Sequence, residues 1–139
     1  MLIDMTGLGP ERRVHIEVPS IDDAARFYGQ ALQAQEVFRL SSPEGLLLKL
    51  GIDIGGLGLT ITPKGEEEDS MSLASLAKDL DAPFLGLIVY VADPAQLAQR
   101  VIQAGGRFHP DAALAPSYGG KQARMVVDPF GNVWAFAQK

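Results

Sequence analysis

The sequence predicts an α+β fold made of two β-α-β-β-β modules around a shared cleft, and three observations carry that prediction. A strand-and-helix unit occurs twice, 73 residues apart. Arg13-Val-His-Ile-Glu-Val-Pro-Ser20 and Gly86-Leu-Ile-Val-Tyr-Val-Ala-Asp93 each alternate apolar and other residues and then enter a capped helix. The correspondence runs on into the helices, where Ala24, Tyr28 and Ala31 match Leu97, Val101 and Ala104. Three further strand-like runs, separated by turn residues, follow each helix. A cleft between two such modules is a natural place for a small molecule.

In the first module, about residues 12–62, Val14, Ile16 and Val18 alternate with Arg13, His15 and Glu17, the period of a half-buried strand. Ser20 and Asp23 have capping-box spacing: the hydroxyl accepts from the third helical amide, and the carboxylate can reach back. The helix continues through Ala24, Ala25, Tyr28 and Leu32. Strands are expected at 36–40, 46–50 and 57–62, with turns at Ser41-Ser-Pro-Glu-Gly45 and Gly51-Ile-Asp-Ile-Gly-Gly56.

Residues 63–83 read as a linker. Its acidic run, Glu66-Glu-Glu-Asp69, precedes Met71, Leu73, Leu76 and Leu80 at helical spacing, which predicts a short helix over a sheet edge. The second module, about 84–138, repeats the first. Asp93-Pro-Ala-Gln96 supplies a cap, a proline at the first helical position and a Gln at the third. Leu97, Val101 and Ala104 form the buried stripe, and Gly105-Gly106 ends the helix in a left-handed conformation. Strands are expected at 107–109, 122–127 and 132–137, with a long loop at 110–120.

With 139 residues and 47% hydrophobic content, the chain can bury one substantial core. No apolar run reaches the length of a membrane-spanning helix, and the first residues lack a signal-peptide pattern, so no membrane partner and a cytoplasmic location are expected. The absence of cysteine excludes disulfides, thiolate metal sites and a cysteine nucleophile. A net charge of −5 argues against nucleic acid as a partner. Gly55-Gly-Leu-Gly58 is followed by neither Lys-Ser/Thr nor a helix, so it reads as a hairpin turn rather than a phosphate loop.

The paired modules, the Arg26-Phe27-Tyr28 of the first helix and the turn Asp128-Pro-Phe-Gly-Asn-Val-Trp134 together resemble the vicinal oxygen chelate superfamily. This family includes glyoxalase I, bleomycin resistance proteins and extradiol dioxygenases, and the resemblance covers about residues 12–138. It implies curved mixed sheets whose convex sides pack on the helices and whose concave sides share the cleft. Strand parity then puts Arg13, His15 and Glu17 in the cleft, with Gly86, Ile88 and Tyr90 in the second module. Gly58, Thr60 and Thr62 join them from the third strand after the first helix, and Val133, Ala135 and Ala137 from the last strand. Trp134 and Phe136 turn to the helix.

Metal-dependent members of the family carry one ligand on each of four such strands. The matching positions here are Arg13, Thr60, Gly86 and Ala135, which offer no ligand set for a divalent ion. No metal and no cofactor are therefore expected. His15 and Glu17 share a strand face two residues apart. Three readings stand for them: the seed of a shifted metal site, an acid–base pair, or a polar lining.

The resemblance implies a metal-free protein that binds or sequesters a small ligand. Its expected contacts are Arg13, His15, Glu17, Thr60, Ile88, Tyr90 and Ala135, and its expected assembly a homodimer. The alternative is a lyase, isomerase or dioxygenase acting on a vicinal-oxygen substrate through a shifted metal site. Parity also predicts that His15→Ala costs less than about 1 kcal/mol, as outside a packed core.

Overall fold

The computed structural model describes residues 2–7, 13–64, 78, 81, 85–110, 117–118 and 121–139. Strand β1 (Leu2–Ile3) is followed by the first module: β2 (Val14–Val18), helix α1 (Ile21–Ala31), β3 (Gln35–Ser41), β4 (Leu47–Ile54) and β5 (Leu57–Pro63). The second contains β6 (Gly86–Val91), helix α2 (Pro94–Gln103), β7 (Arg107–Phe108), β8 (Ser117–Tyr118), β9 (Lys121–Val127) and β10 (Val133–Gln138). The helix expected in the linker lies outside the described residues.

Both modules form mixed sheets of the same order. The first runs β2-β5-β4-β3 and the second β6-β10-β9-β7, with β1 added beside β6 and β8 paired to β9. In each, the strand before the helix lies parallel to the last strand of the module: Val14 opposite Leu59, and Gly86 opposite Val133. The remaining main pairings are antiparallel.

Matched sequence signals start the two helices. The Ser20 hydroxyl accepts from the Asp23 amide at 3.3 Å, and the Asp93 carboxylate accepts from the Gln96 amide at 3.1 Å. The return bond of the expected capping box is replaced, because the Asp23 carboxylate pairs instead with Arg26, one helical turn on, at 3.0 Å. Gly105, at φ 107°, ends α2, and the Gly106 amide returns to the Val101 carbonyl at 2.8 Å.

Two local expectations change, and one further strand joins a sheet. Residues 51–54 belong to β4 rather than to a turn, because the alternation of Leu50, Ile52 and Ile54 continues the buried face and the chain reverses only at Gly55-Gly56. Ser117–Tyr118, expected in a loop, pairs with Gln122 and Lys121. The first residues also join a sheet, Leu2 lying opposite Gly86.

One apolar cluster spans both modules. It joins Val14, Ile16 and Val18 of β2 and Leu59 and Ile61 of β5 to Leu87 and Val89 of β6 and Trp134 and Phe136 of β10, with α1 and α2 packed on it. At its centre Tyr28, Phe130 and Trp134 meet, ring centroids 5.8 and 6.0 Å from Tyr28. The Tyr28 hydroxyl donates to Asp128 Oδ2 at 2.5 Å, Trp134 Nε1 donates to the same oxygen at 3.0 Å, and Asn132 Nδ2 donates to the Tyr28 oxygen at 3.3 Å. Asp128 Oδ1 accepts from the Phe130 and Asn132 amides, both at 2.9 Å.

Burial, and then the neighbouring Asp128 charge, push the Tyr28 hydroxyl well above its usual pKa. The neutral form is favoured in the folded state, so its contribution to stability is complete below about pH 10, the unfolded value, and is lost as pH rises beyond it. Phenolate absorbance should show one of the three tyrosines ionising only as the fold is lost. Tyr28→Phe should remove that alkaline component and cost about 1–3 kcal/mol in urea unfolding at pH 7, because the buried carboxylate loses a donor. Three tyrosines titrating together in the folded protein would contradict this.

Candidate functional site

Strand parity divides each sheet into a face packed on the helices and a helix-free face. On the first sheet the helix-free face is polar. Residue pairing puts His15, Thr60, Gly51 and Phe38 in one row across β2, β5, β4 and β3. Glu17 and Thr62 lie opposite each other in the next row. The His15 Nε2 and Thr62 Oγ1 atoms are 2.6 Å apart, with the two residues 8% and 1% exposed.

Arg13 closes the other end. Its guanidinium donates from Nη2 to the carbonyls of Ile52 and Leu59, both at 2.7 Å, and from Nη1 to Asp53 at 3.1 Å. It also lies 5.6 Å from the centre of the Phe38 ring, within cation–π range. Two glycines make this packing fit. A Cβ on Gly58 would stand 2.9 Å from Arg13 Nη1, and one on Gly51 would stand 2.1 Å from the Phe38 ring.

The second sheet's helix-free face is apolar. Ile88, Ala123, Met125, Val127, Val133, Ala135 and Ala137 form a second buried cluster, with Leu2 and Tyr90 packed against it. The Tyr90 hydroxyl donates to Asp4 at 2.9 Å. The expected ligand contacts thus fall into two sets: Arg13, His15, Glu17 and Thr60 on the first sheet, and Ile88, Tyr90 and Ala135 on the second. At the tip of the β4–β5 hairpin the first module touches the second, where a Cβ on Gly55 would lie 3.2 Å from the Tyr90 carbonyl oxygen.

Of the four positions that the family resemblance marks for a metal, Arg13, Gly86 and Ala135 do not fit a divalent ion, and Thr60 offers only a hydroxyl. Arg13 presents only donors: its two Nη groups bond two carbonyls and a carboxylate, and its Nε is buried without a partner among the described residues. The space beside Gly86 is taken by Leu2 and Val133, 2.5 and 3.0 Å from where a Cβ would be. Ala135 has no ligand atom and is fully buried. Among the described residues no three His, Asp or Glu side chains converge as a metal site would need.

Sequence reasoning omitted Asp53, Phe38 and Thr62 from the expected contacts. Thr62 follows from the same parity that selected Thr60. Asp53 was hidden by reading 51–56 as a turn. Phe38 depends on a register shift in β3 between Glu36 and Phe38, which no pattern in the chain announces.

The profile of the Glyoxalase/Bleomycin resistance protein/Dioxygenase superfamily matches residues 12–136, and the chain belongs to that family. It is 25% identical to an uncharacterised protein of Mycobacterium bovis, over 93% of this chain and 83% of that protein. Among solved structures, TioX from Micromonospora sp. ML1 superposes with a TM-score of 0.63 at 18% identity, covering 92% of this chain and 94% of that one. FosX, a fosfomycin resistance protein of Listeria monocytogenes solved with Mn(II) and sulfate, superposes with a TM-score of 0.58 at 11% identity, covering 92% and 90%. At these identities the structural likeness concerns the fold. The superfamily fold supports a small-molecule-binding or enzymatic role.

Burial changes the cost expected for the His15 substitution. His15→Ala leaves the Thr62 hydroxyl buried without that partner, a loss of about 1–3 kcal/mol. Ile16→Ala, opening a cavity in the main core, should cost more, about 2–5 kcal/mol. Urea denaturation of the two variants checks the order, and a larger loss for His15→Ala would reverse the assignment of faces.

Proposed function

We propose that this protein binds a small organic ligand against the polar face of the first sheet, without a divalent metal. The observation that carries this reading is Arg13. A guanidinium stands where metal-dependent relatives have a ligand, tied down by the carbonyls of Ile52 and Leu59 and by Asp53. Such a group orients a ligand or its neighbours but never gives a lone pair to a cation. The manganese of the FosX structure therefore does not carry over to this chain.

The ligand contacts proposed are Arg13, His15, Glu17 and Thr60, with Ile88, Tyr90 and Ala135 of the second sheet as the apolar counterpart. Polar groups of the first sheet would fix orientation; Ile88 and Ala135, now 1% and 0% exposed in their cluster, would have to be uncovered for the ligand to reach them. After dialysis against chelator, elemental analysis should find no stoichiometric zinc, nickel, manganese or iron. Native mass spectrometry against a panel of small antibiotics and metabolites, bleomycin included, should find a ligand retained in chelator. Thr60→Trp, which fills the middle of the polar row, should weaken that ligand at least about tenfold while the fold persists. One tightly held equivalent of metal, with turnover that chelator abolishes, would replace this reading with the enzyme one.

We further propose that two copies associate through the β3 edge. Val37, Leu40, Leu46 and Leu48 are 41–67% exposed along β3 and the start of β4. An edge strand of this kind offers unpaired backbone groups to another strand. Glu36 and Arg39 on that edge neutralise each other at 2.6 Å, so two copies meet there without like-charge repulsion. Sedimentation velocity at micromolar concentration should give a dimer, and the double variant Leu46→Glu/Leu48→Glu should give a monomer. A wild-type monomer would end the proposal.

A further inference from the structure

Away from the polar sheet face, the structure has an open groove of about 320 Å³ where the end of α1, the β4–β5 hairpin, the end of β6 and the start of α2 meet. Its floor is apolar, formed by Leu32, Ile54 and Leu97, and its rim carries Gln96, Arg100 and Lys139. This volume is at the lower end for small-molecule sites, and the mixture of an apolar floor with a few polar groups is their usual composition.

Two cations, Arg100 and Lys139, line this groove. Arg13, Arg26 and Arg39 each pair with a carboxylate. Among the described residues, neither Arg100 nor Lys139 has such a partner. The groove does include a carboxylate, Asp93, but its Oδ1 is engaged by the Gln96 amide at the start of α2. Asp93 and Arg100 are also seven residues apart on α2, about two helical turns. With the Asp93 carboxylate counted, the groove carries one net positive charge in a chain of net charge −5.

Arg100 is the better fixed of the two cations, since the Lys139 side chain is exposed and only its backbone is tied down. Arg100 is half-buried on α2, next to the buried Val101. The Lys139 backbone amide donates to the Val91 carbonyl at 3.0 Å, which fastens that residue beside the end of β6. The hairpin wall is equally constrained, because Gly55 sits at φ 52° with the Tyr90 carbonyl against it. The groove therefore has a preformed shape, which lowers the ordering cost of binding.

We propose that this groove is a second ligand site, which takes a small organic monoanion with an apolar body: the anionic group between Arg100 and Lys139, the body on Leu32, Ile54 and Leu97. It is distinct from the polar row around His15 and does not rest on the function proposed for that row, although Tyr90, named above as a contact of that ligand, also lines the groove. An anionic group with nothing apolar attached leaves the floor unused, and a neutral analogue leaves both cations unpaired. The amphipathic anion alone uses both parts of the site.

The test uses the intact protein labelled with ¹⁵N and three probes: 4-phenylbutyrate, its uncharged amide, and inorganic phosphate. Phenylbutyrate should give saturable amide shifts at Gly55, Ala92 and Leu97 and leave Gly51 and Thr60 unmoved. The amide and the phosphate should each bind at least about fivefold more weakly. Arg100→Gln and Lys139→Gln should each weaken phenylbutyrate about five- to tenfold, the size of one charge-assisted hydrogen bond at a partly exposed site, and added salt should weaken the wild type. Both substitutions lie at the surface of the groove, so the spectra themselves report that the variants remain folded. Shifts confined to the polar row, equal binding of the three probes, or unchanged affinity in both variants would overturn the proposal.

Discussion

The buried carboxylate of Asp128 is the constraint on which the rest of this structure depends. A carboxylate removed from water is costly unless it is surrounded by donors. Here four converge on it: the Tyr28 hydroxyl, the Trp134 indole and the amides of Phe130 and Asn132. Two of these donors shape the turn before β10, one sits on β10, and one comes from α1, a hundred residues earlier. The network thus fastens the helix of the first module to the last turn of the second. It also fixes the parity of β10: with Trp134 turned to the helices, Ala135 and Ala137 must lie on the other face.

The two modules share their strand order and their helix caps, yet their helix-free faces have diverged. On the first, side chains that donate and accept hydrogen bonds stand on adjacent strands, and Arg13 reaches across to two carbonyls. On the second, small apolar residues pack into a dry cluster with Leu2. The divergence follows from which residues occupy equivalent positions: Arg13 against Gly86, and His15 against Ile88. The backbone framework tolerates either because the shared core lies on the opposite face of each strand.

Arg13 has two structural dependents. Gly58 leaves room for its guanidinium, and Phe38, itself admitted by Gly51, lies over it. Three strands are therefore adapted to one cation. A metal ligand at position 13 would also require the space around Gly58 to be refilled and the β3 edge to be repacked.

Much of this was legible in the chain. The repeat at 73 residues identified both modules, their helices and the starts of their sheets, because capping chemistry and apolar alternation are local effects. Parity alone separated Val14, Ile16 and Val18 from Arg13, His15 and Glu17, and Trp134 from Ala135. Local signals failed where partners were distant. Gly51 resembled a turn because its reason for being glycine, the Phe38 ring, is on another strand. The pairing of Leu2 with Gly86 spans most of the chain, and only the assembled sheet reveals it. Tyr28 and Asp128 both stood out in the sequence as pieces of a family pattern, but nothing in the linear order said that they touch. The sequence by itself determined both helices, the main strands and their order, and the faces of β2 and β10, since these depend on neighbours a few residues away. Tertiary structure alone decided which donors surround Asp128, what packs around Arg13 and Gly86 and where a second groove opens, because each requires groups that meet only when the chain folds.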